Sequence, residues 1–284
     1  LSAIGNERVV RVLPNGRRLL SRVTDLDAVV QRIIDEHRDD RARGVEHDDL
    51  LSWLIDARDQ EGAATYGERM TDEQLRDEVM TFVLAGHETT AMALSWTWWL
   101  LSCNPLEAER LHDELEEVLR SDDGTWRAPT FDDLPLLPFT RAVVAESIRL
   151  YPPAWIMGRR LLVDLEVGGW QLPSGSIVLG APWILHRDPA LWPRATSFVP
   201  ERWLDGGGRF DENAPGQPRG AYVPFGFGNR RCIGEQFAWT EAMLVLATLA
   251  SHWRAELVPG TRIEPLAAVT LRPRHGLPVT LRRR

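Results

Sequence analysis

The sequence has no lysine, and all 33 of its basic residues are arginine. Arginine codons are GC-rich, so the bias reflects genome composition and points to a bacterial source. Cysteine is scarce: Cys103 and Cys232 are the only two, and two cysteines make no disulfide framework. No apolar run is long enough to span a bilayer. The most apolar stretch, Ala91 to Leu101, is short and rich in tryptophan. An excess of basic charge is also missing. The net charge of −8 argues against non-specific nucleic-acid binding, which needs a basic face. No secretory leader pattern is visible, and a reducing cytoplasm is the expected setting. There is no internal repeat and no low-complexity linker, so residues 1–284 read as one domain.

What is present is mostly helical periodicity. Residues 1–20 are mixed apolar and basic, with Pro14-Asn15-Gly16 as a turn. Leu26, Val29, Val30, Ile33 and Ile34 form a helical stripe capped by Thr24 or Asp25, which gives way to a solvated charge run, Asp35 to Glu46. A short helix carries Leu50, Leu51, Leu54 and Ile55, and residues 59–69 form a polar loop. Thr71 and Gln74 then make a capping box for a long helix that Asn104-Pro105 stops. Further helices are predicted over 106–119, 139–150 and 234–251. Short antiparallel strands are predicted over Arg160 to Val167, Trp170 to Pro173, Ser176 to Leu179, and within 255–283. Residues 186–222 are mostly irregular. A loop of that length is tolerated mainly when it is functional or packed on a scaffold. The fold class is mainly α with small antiparallel sheets.

Two places break the ordinary rules. The long helix runs through Ala85-Gly86-His87-Glu88-Thr89-Thr90, where a glycine and two threonines are poor helix formers. A sequence that weakens its own helix usually has a local reason. Further on, Pro224-Phe225-Gly226-Phe227-Gly228-Asn229-Arg230-Arg231-Cys232-Ile233-Gly234 leads into the next helix. Its glycines let backbone approach something flat without Cβ clashes. N–H groups at the helix start can stabilise a thiolate, and Arg230 suits a carboxylate. Such a cysteine is a good axial ligand for haem iron. Cys103, at a helix end, reads as a small core residue.

Phe225, Gly228, Arg230, Cys232 and Gly234 resemble the haem-binding loop of the cytochrome P-450 (haem-thiolate monooxygenase) superfamily in a bacterial-type member. The helix segment at Gly86 is similar to that family's oxygen-activating segment. The resemblance implies the cytochrome P-450 fold and haem b (iron protoporphyrin IX), with Cys232 as the iron ligand. Phe225, Gly226, Gly234, Ala85 and Gly86 would lie around the haem, with Arg230 and Arg159 on its propionates. Thr89 would hydrogen-bond the dioxygen site and Glu88 would relay protons from solvent, while His87 packs or is partly exposed.

By itself Glu146 and Arg149 at i and i+3 is a weak signal. In the family this pair is buried and joined by an arginine corresponding to Arg202 of Pro200-Glu201-Arg202-Trp203, a structural role, and His186 is read as structural too. Val83, Thr90, Ala154, Trp155, Ile156 and Val269 are the expected contacts of a small apolar organic substrate. Dioxygen is the co-substrate. Electrons from NAD(P)H would arrive through a ferredoxin- or flavodoxin-type protein or a flavoprotein reductase, docked near Arg230 and Arg231. A peroxide-driven relative, or a haem-binding fragment without activity, are the alternatives. Family members usually carry well over a hundred residues before the matched segment. The chain therefore reads as an N-terminally truncated, C-terminal portion that lacks the arginine-bearing helix of the haem propionates.

Overall fold

The computed structural model describes residues 15–57, 70–214 and 217–284. The predicted polar loop over 59–69 and most of the N-terminal tail lie outside them. The chain divides into two compact units between Ala85 and Gly86.

In the first unit, α1 (Gly16–Ala42) and α2 (Leu50–Asp56) pack with the start of α3 (Asp72–Cys103). The apolar stripe does what its spacing predicts. Val30 and Ile34 of α1 are buried with Leu75 and Val79 of α3, and Leu51, Leu54 and Ile55 of α2 pack against them. The predicted start at Thr24 is wrong. The helix begins at Gly16, after a left-handed Asn15 at φ 66°. Thr24 sits inside it, its hydroxyl donating to the Leu20 carbonyl at 3.1 Å, so the side chain that could have capped is used within the helix. The charge run is helical as far as Ala42. Its arginines reach neighbouring helices, Arg38 to Asp72 at 2.6 Å and Arg41 to Asp56 at 2.8 Å. The capping box of α3 is closed in both directions: Thr71 N donates to Gln74 Oε1 at 2.9 Å, and Gln74 N to Thr71 Oγ1 at 3.2 Å.

The second unit is organised around α5 (Pro138–Leu150), whose residues from Ala142 to Leu150 are all buried. It packs with α4 (Pro105–Leu119) and α7 (Glu235–Ala250) in one core that also takes Ala93, Leu100 and Leu101 from α3. The first turn of α5 has no cap of its own. Glu114 of α4 supplies one, accepting from the backbone N–H groups of Phe139 (2.6 Å) and Thr140 (2.7 Å) and from the Thr140 hydroxyl (2.7 Å). This satisfies donors that a helix start leaves open.

Among the described residues, four two-stranded antiparallel sheets accompany these helices. They pair β1 (Met157–Arg160) with β4 (Ile177–Gly180), β2 (Leu165–Val167) with β3 (Trp170–Leu172), β5 (Trp253–Leu257) with β8 (Val279–Arg283), and β6 (Pro265–Ala267) with β7 (Leu271–Pro273). The single strand predicted from Arg160 to Val167 is two strands. Asp164 accepts the backbone N–H of Ser174 at 2.7 Å, and Ser174 donates to the Leu162 carbonyl at 3.0 Å. These bonds turn the chain between Arg160 and Leu165. A short helix, α6 (Pro182–Leu185), leads into the long irregular segment. Cys103 is a further correction. As the last residue of α3, beyond the core-facing Leu100 and Leu101, it is exposed. Among the described residues no helix is long and apolar enough to cross a membrane.

Candidate active site

The cysteine loop is closed by its own backbone. Cys232 N donates to the Phe225 carbonyl at 2.8 Å, Gly226 N to Val223 at 3.1 Å and Arg231 N to Gly228 at 3.0 Å. Gly226 and Gly228 sit at φ 73° and 65°, which side chains rarely adopt. A Cβ on Gly226 would stand 3.5 Å from Met157 Sδ, and one on Gly234 would stand 3.9 Å from Cys232 Sγ. At Gly234 the loop therefore keeps a side chain out of contact with the sulfur. Cys232 is exposed, just before the first turn of α7. Two apolar residues of the loop are turned outward: Phe227 is 72% exposed and Ile233, directly after the cysteine, 87%. Phe225 goes the other way and packs on Trp239 of α7, ring centroids 5.8 Å apart.

Helix α3 is continuous through the weak segment. Beside Gly86 the space is open, with nothing within 4 Å of an added Cβ. Thr89 Oγ1 lies 3.5 Å from the Gly86 carbonyl, Thr90 is buried, and His87 is exposed. Glu88 is held by a residue that local spacing does not reveal. Thr270 Oγ1, itself buried, donates to Glu88 Oε1 at 2.8 Å. The same β6–β7 turn is tied to the helix and to the segment after Pro152-Pro153. Trp96 Nε1 donates to the Leu271 carbonyl, Leu271 N to the Pro153 carbonyl and Trp155 Nε1 to the Ala268 carbonyl, each at 2.9 Å. Three segments named from the sequence thus meet in one unit: Glu88–Thr90, Ala154–Ile156 and the turn holding Val269, which is 92% exposed. Val83 and Ala85 belong to the first unit and are exposed.

The arginines separate by partner. Arg231 is bound to Glu235, Nη2 to Oε1 at 2.6 Å. Among the described residues neither Arg230 nor Arg159 has a carboxylate in contact. Arg159 Nη1 donates only to the Gly158 carbonyl at 2.9 Å, and both side chains are exposed.

Glu146, Arg149 and Arg202 come together in the core. Glu146 and Arg149 are wholly buried. The Glu146 carboxylate accepts from Arg149 Nε (2.8 Å) and Nη2 (2.9 Å), Arg202 Nε (3.1 Å), Trp203 Nε1 (3.0 Å) and Val199 N (2.9 Å). The remaining Arg149 donors reach the carbonyls of His186 (2.6 Å), Ala195 (2.7 Å) and Ser197 (3.1 Å). Every partner of Arg149 outside α5 is on the irregular segment, which this pair pins down. Burial, seconded by the Arg149 charge, pushes the His186 imidazole down to about 3. It stays neutral and accepts the N–H of Val223, 3.0 Å away, just before the cysteine loop.

These features suit a flat, largely apolar, dianionic macrocycle. Cys232 is exposed, Phe227 and Ile233 of its loop are exposed apolar residues, and among the described residues Arg230 and Arg159 have no carboxylate in contact.

The comparisons with known proteins agree with this geometry. The cytochrome P-450 family model matches residues 7–276. Cyclooctatin synthase of Streptomyces melanosporofaciens is 44% identical over 261 residues, 91% of this chain and 53% of that protein. Cyclooctat-9-en-7-ol 5-monooxygenase of the same organism is 41% identical over 238 residues, 84% of this chain and 49% of that protein. Pentalenene oxygenase of Streptomyces avermitilis is 37% identical over 258 residues, 91% and 53% respectively. The chain spans about half the length of the curated relatives it matches. With the family match running from the first unit through the cysteine loop, the chain belongs to the cytochrome P-450 family.

Proposed function

We propose that residues 1–284 are the C-terminal portion of a single haem-thiolate monooxygenase domain, working in the cytoplasm on an apolar organic substrate. The observation that carries this reading is the exposed Cys232 thiol in a loop whose glycines clear the space around it. The family binds haem b. Here Cys232 Sγ would ligate the iron, with Arg230 and Arg159 on the propionates. Phe225, Gly226, Gly234 and Gly86 are the residues that would leave room for the haem. When bound, the haem supplies dioxygen binding and its reductive activation.

The chain's own part is protons, position and exclusion of water. Glu88 is the acid and Thr89 the alcohol. Glu88 would relay protons from solvent, and Thr89, whose hydroxyl can accept and donate at once, would hydrogen-bond the dioxygen site. Thr270 fixes Glu88 Oε1. Trp155, anchored to Ala268, sets the spacing of Ala154, Ile156 and Val269, which with Thr90 would line the substrate side. An unsaturated carbon skeleton suits that lining and the names of the relatives, one of them a pentalenene oxygenase. The product is hydroxylated or epoxidised. Electrons from NAD(P)H would come through a ferredoxin- or flavodoxin-type protein or a flavoprotein reductase docking beside Arg230 and Arg231.

The test is Thr89→Ala in the protein that carries this chain, assayed with NAD(P)H and a surrogate redox chain. Oxygen consumption should continue while product per oxygen falls. Unchanged product yield would remove Thr89 from the proton path and the acid–alcohol reading with it.

A further inference from the structure

In the first unit, helix α1 ends at Ala42 and Gly44, at φ 81°, reverses the chain. His47 comes back over the helix and stacks on His37, ring centroids 4.4 Å apart and planes 29° from parallel. Asp49 is fixed from the other side. As N-cap of α2 its Oδ1 accepts from Ser52 N at 2.9 Å, while its Oδ2 lies 2.8 Å from His37 Nε2. Asp40 Oδ2 lies 2.9 Å from His47 Nε2. One ligand atom each from His37, His47 and Asp49 falls within 4.8 Å of the other two.

We propose that His37, His47 and Asp49 form a site for a divalent transition cation of the zinc class. The cation would clamp the last turns of α1 to the start of α2. The donor set is two imidazoles and one carboxylate, which suits zinc, nickel or copper. Magnesium and calcium would require oxygen ligands throughout. Tetrahedral ligands about 2.1 Å from a cation stand about 3.4 Å from one another. The donors would have to draw in from 4.8 Å, and His47, 35% exposed at the side chain, is the one with room to turn. The outer contact is in place as well. Asp40 holds one nitrogen of His47, the carboxylate–imidazole arrangement that orients metal-bound histidines. Asp49 is already locked through its other oxygen, so little order has to be created on binding. The simpler arrangement is two separate histidine–aspartate hydrogen bonds, and it requires no shared point between the rings. The convergence of three donors, from α1, the following loop and the cap of α2, is what favours the cation.

Calorimetric titration of zinc chloride into the untagged, haem-loaded protein tests this. The wild type should take up one zinc with micromolar or tighter affinity, and zinc should raise its unfolding temperature where magnesium does not. Asp49→Asn, which keeps the N-cap, should weaken zinc binding by at least about tenfold, and His37→Gln/His47→Gln should abolish both the heat and the thermal shift. Haem absorption checks that each variant is folded. No zinc uptake by wild type at millimolar concentration, or wild-type affinity in either variant, would overturn the proposal.

Discussion

Replacing Arg149 with leucine would leave the Glu146 carboxylate buried without its principal cation. Arg149 makes two bonds to that carboxylate and three to carbonyls of the irregular segment, and neither side chain has any solvent exposure. Removing one partner of such a pair costs about 3–5 kcal/mol, because the remaining charge has no water to return to. For a unit of this size each kcal/mol moves the melting temperature by about 2–4 °C. Arg149→Leu should therefore lower it by roughly 6–20 °C, read by circular dichroism on the protein that carries this chain. Arg149→Lys should rescue little, because one ammonium cannot serve donors spread over a planar fork. Glu146→Leu with Arg149→Leu should cost less than the two single changes added together, since the pair leaves as a unit. A drop of under about 2 °C in Arg149→Leu, or strict additivity in the double variant, would refute the view that this pair holds the segment leading to Cys232.

Two further outcomes follow from named contacts. The His186 imidazole is held neutral down to about 3 by burial, against about 6.5 unfolded. Between those values the unfolded chain binds a proton that the native one does not. Stability is therefore full above about pH 6.5 and falls as pH drops through that window, by up to about 1.4 kcal/mol per pH unit. His186→Gln should flatten this slope in a urea-unfolding series, and an unchanged slope would contradict it. Thr270→Val keeps the shape of the side chain but removes the donor to Glu88 Oε1. Product formation should fall by about tenfold, the rate equivalent of one hydrogen bond to a charged group, while Thr270→Ser retains activity. Equal rates in all three proteins would separate Thr270 from the proton path.

The local structure around the candidate site was legible where its signals are local. The capping box at Thr71 and Gln74 is a four-residue pattern, and helix α3 follows it to within a residue of the stop expected at Asn104-Pro105. The cysteine loop is legible because left-handed glycines and a helix start must sit side by side to present a sulfur. What local spacing does not carry is long-range pairing. Thr270 meets Glu88 from 182 residues away, and a lone threonine in a strand turn has no pattern that points to a carboxylate. Glu114 caps a helix 25 residues downstream and reads, in sequence, as one more acid on an exposed face. The early start of α1 is similar. Asn15 is a residue type that often caps helices, but Pro14-Asn15-Gly16 reads as a turn and the Asn15 side chain makes no cap bond; burial of Val30 and Ile34 stabilises the helix as a whole. Cys103 was misplaced because its apolar neighbours Leu100 and Leu101 face the core while the helix turn carries its sulfur outward.

The most direct measurement is the carbon monoxide difference spectrum of the reduced, haem-reconstituted protein beside its Cys232→His variant. Sulfur ligation from position 232 predicts the long-wavelength Soret band of a thiolate complex in the wild type, and a shift to the shorter wavelength of an imidazole complex in the variant. A wild-type spectrum without the thiolate band, or one that Cys232→His leaves unchanged, would contradict it.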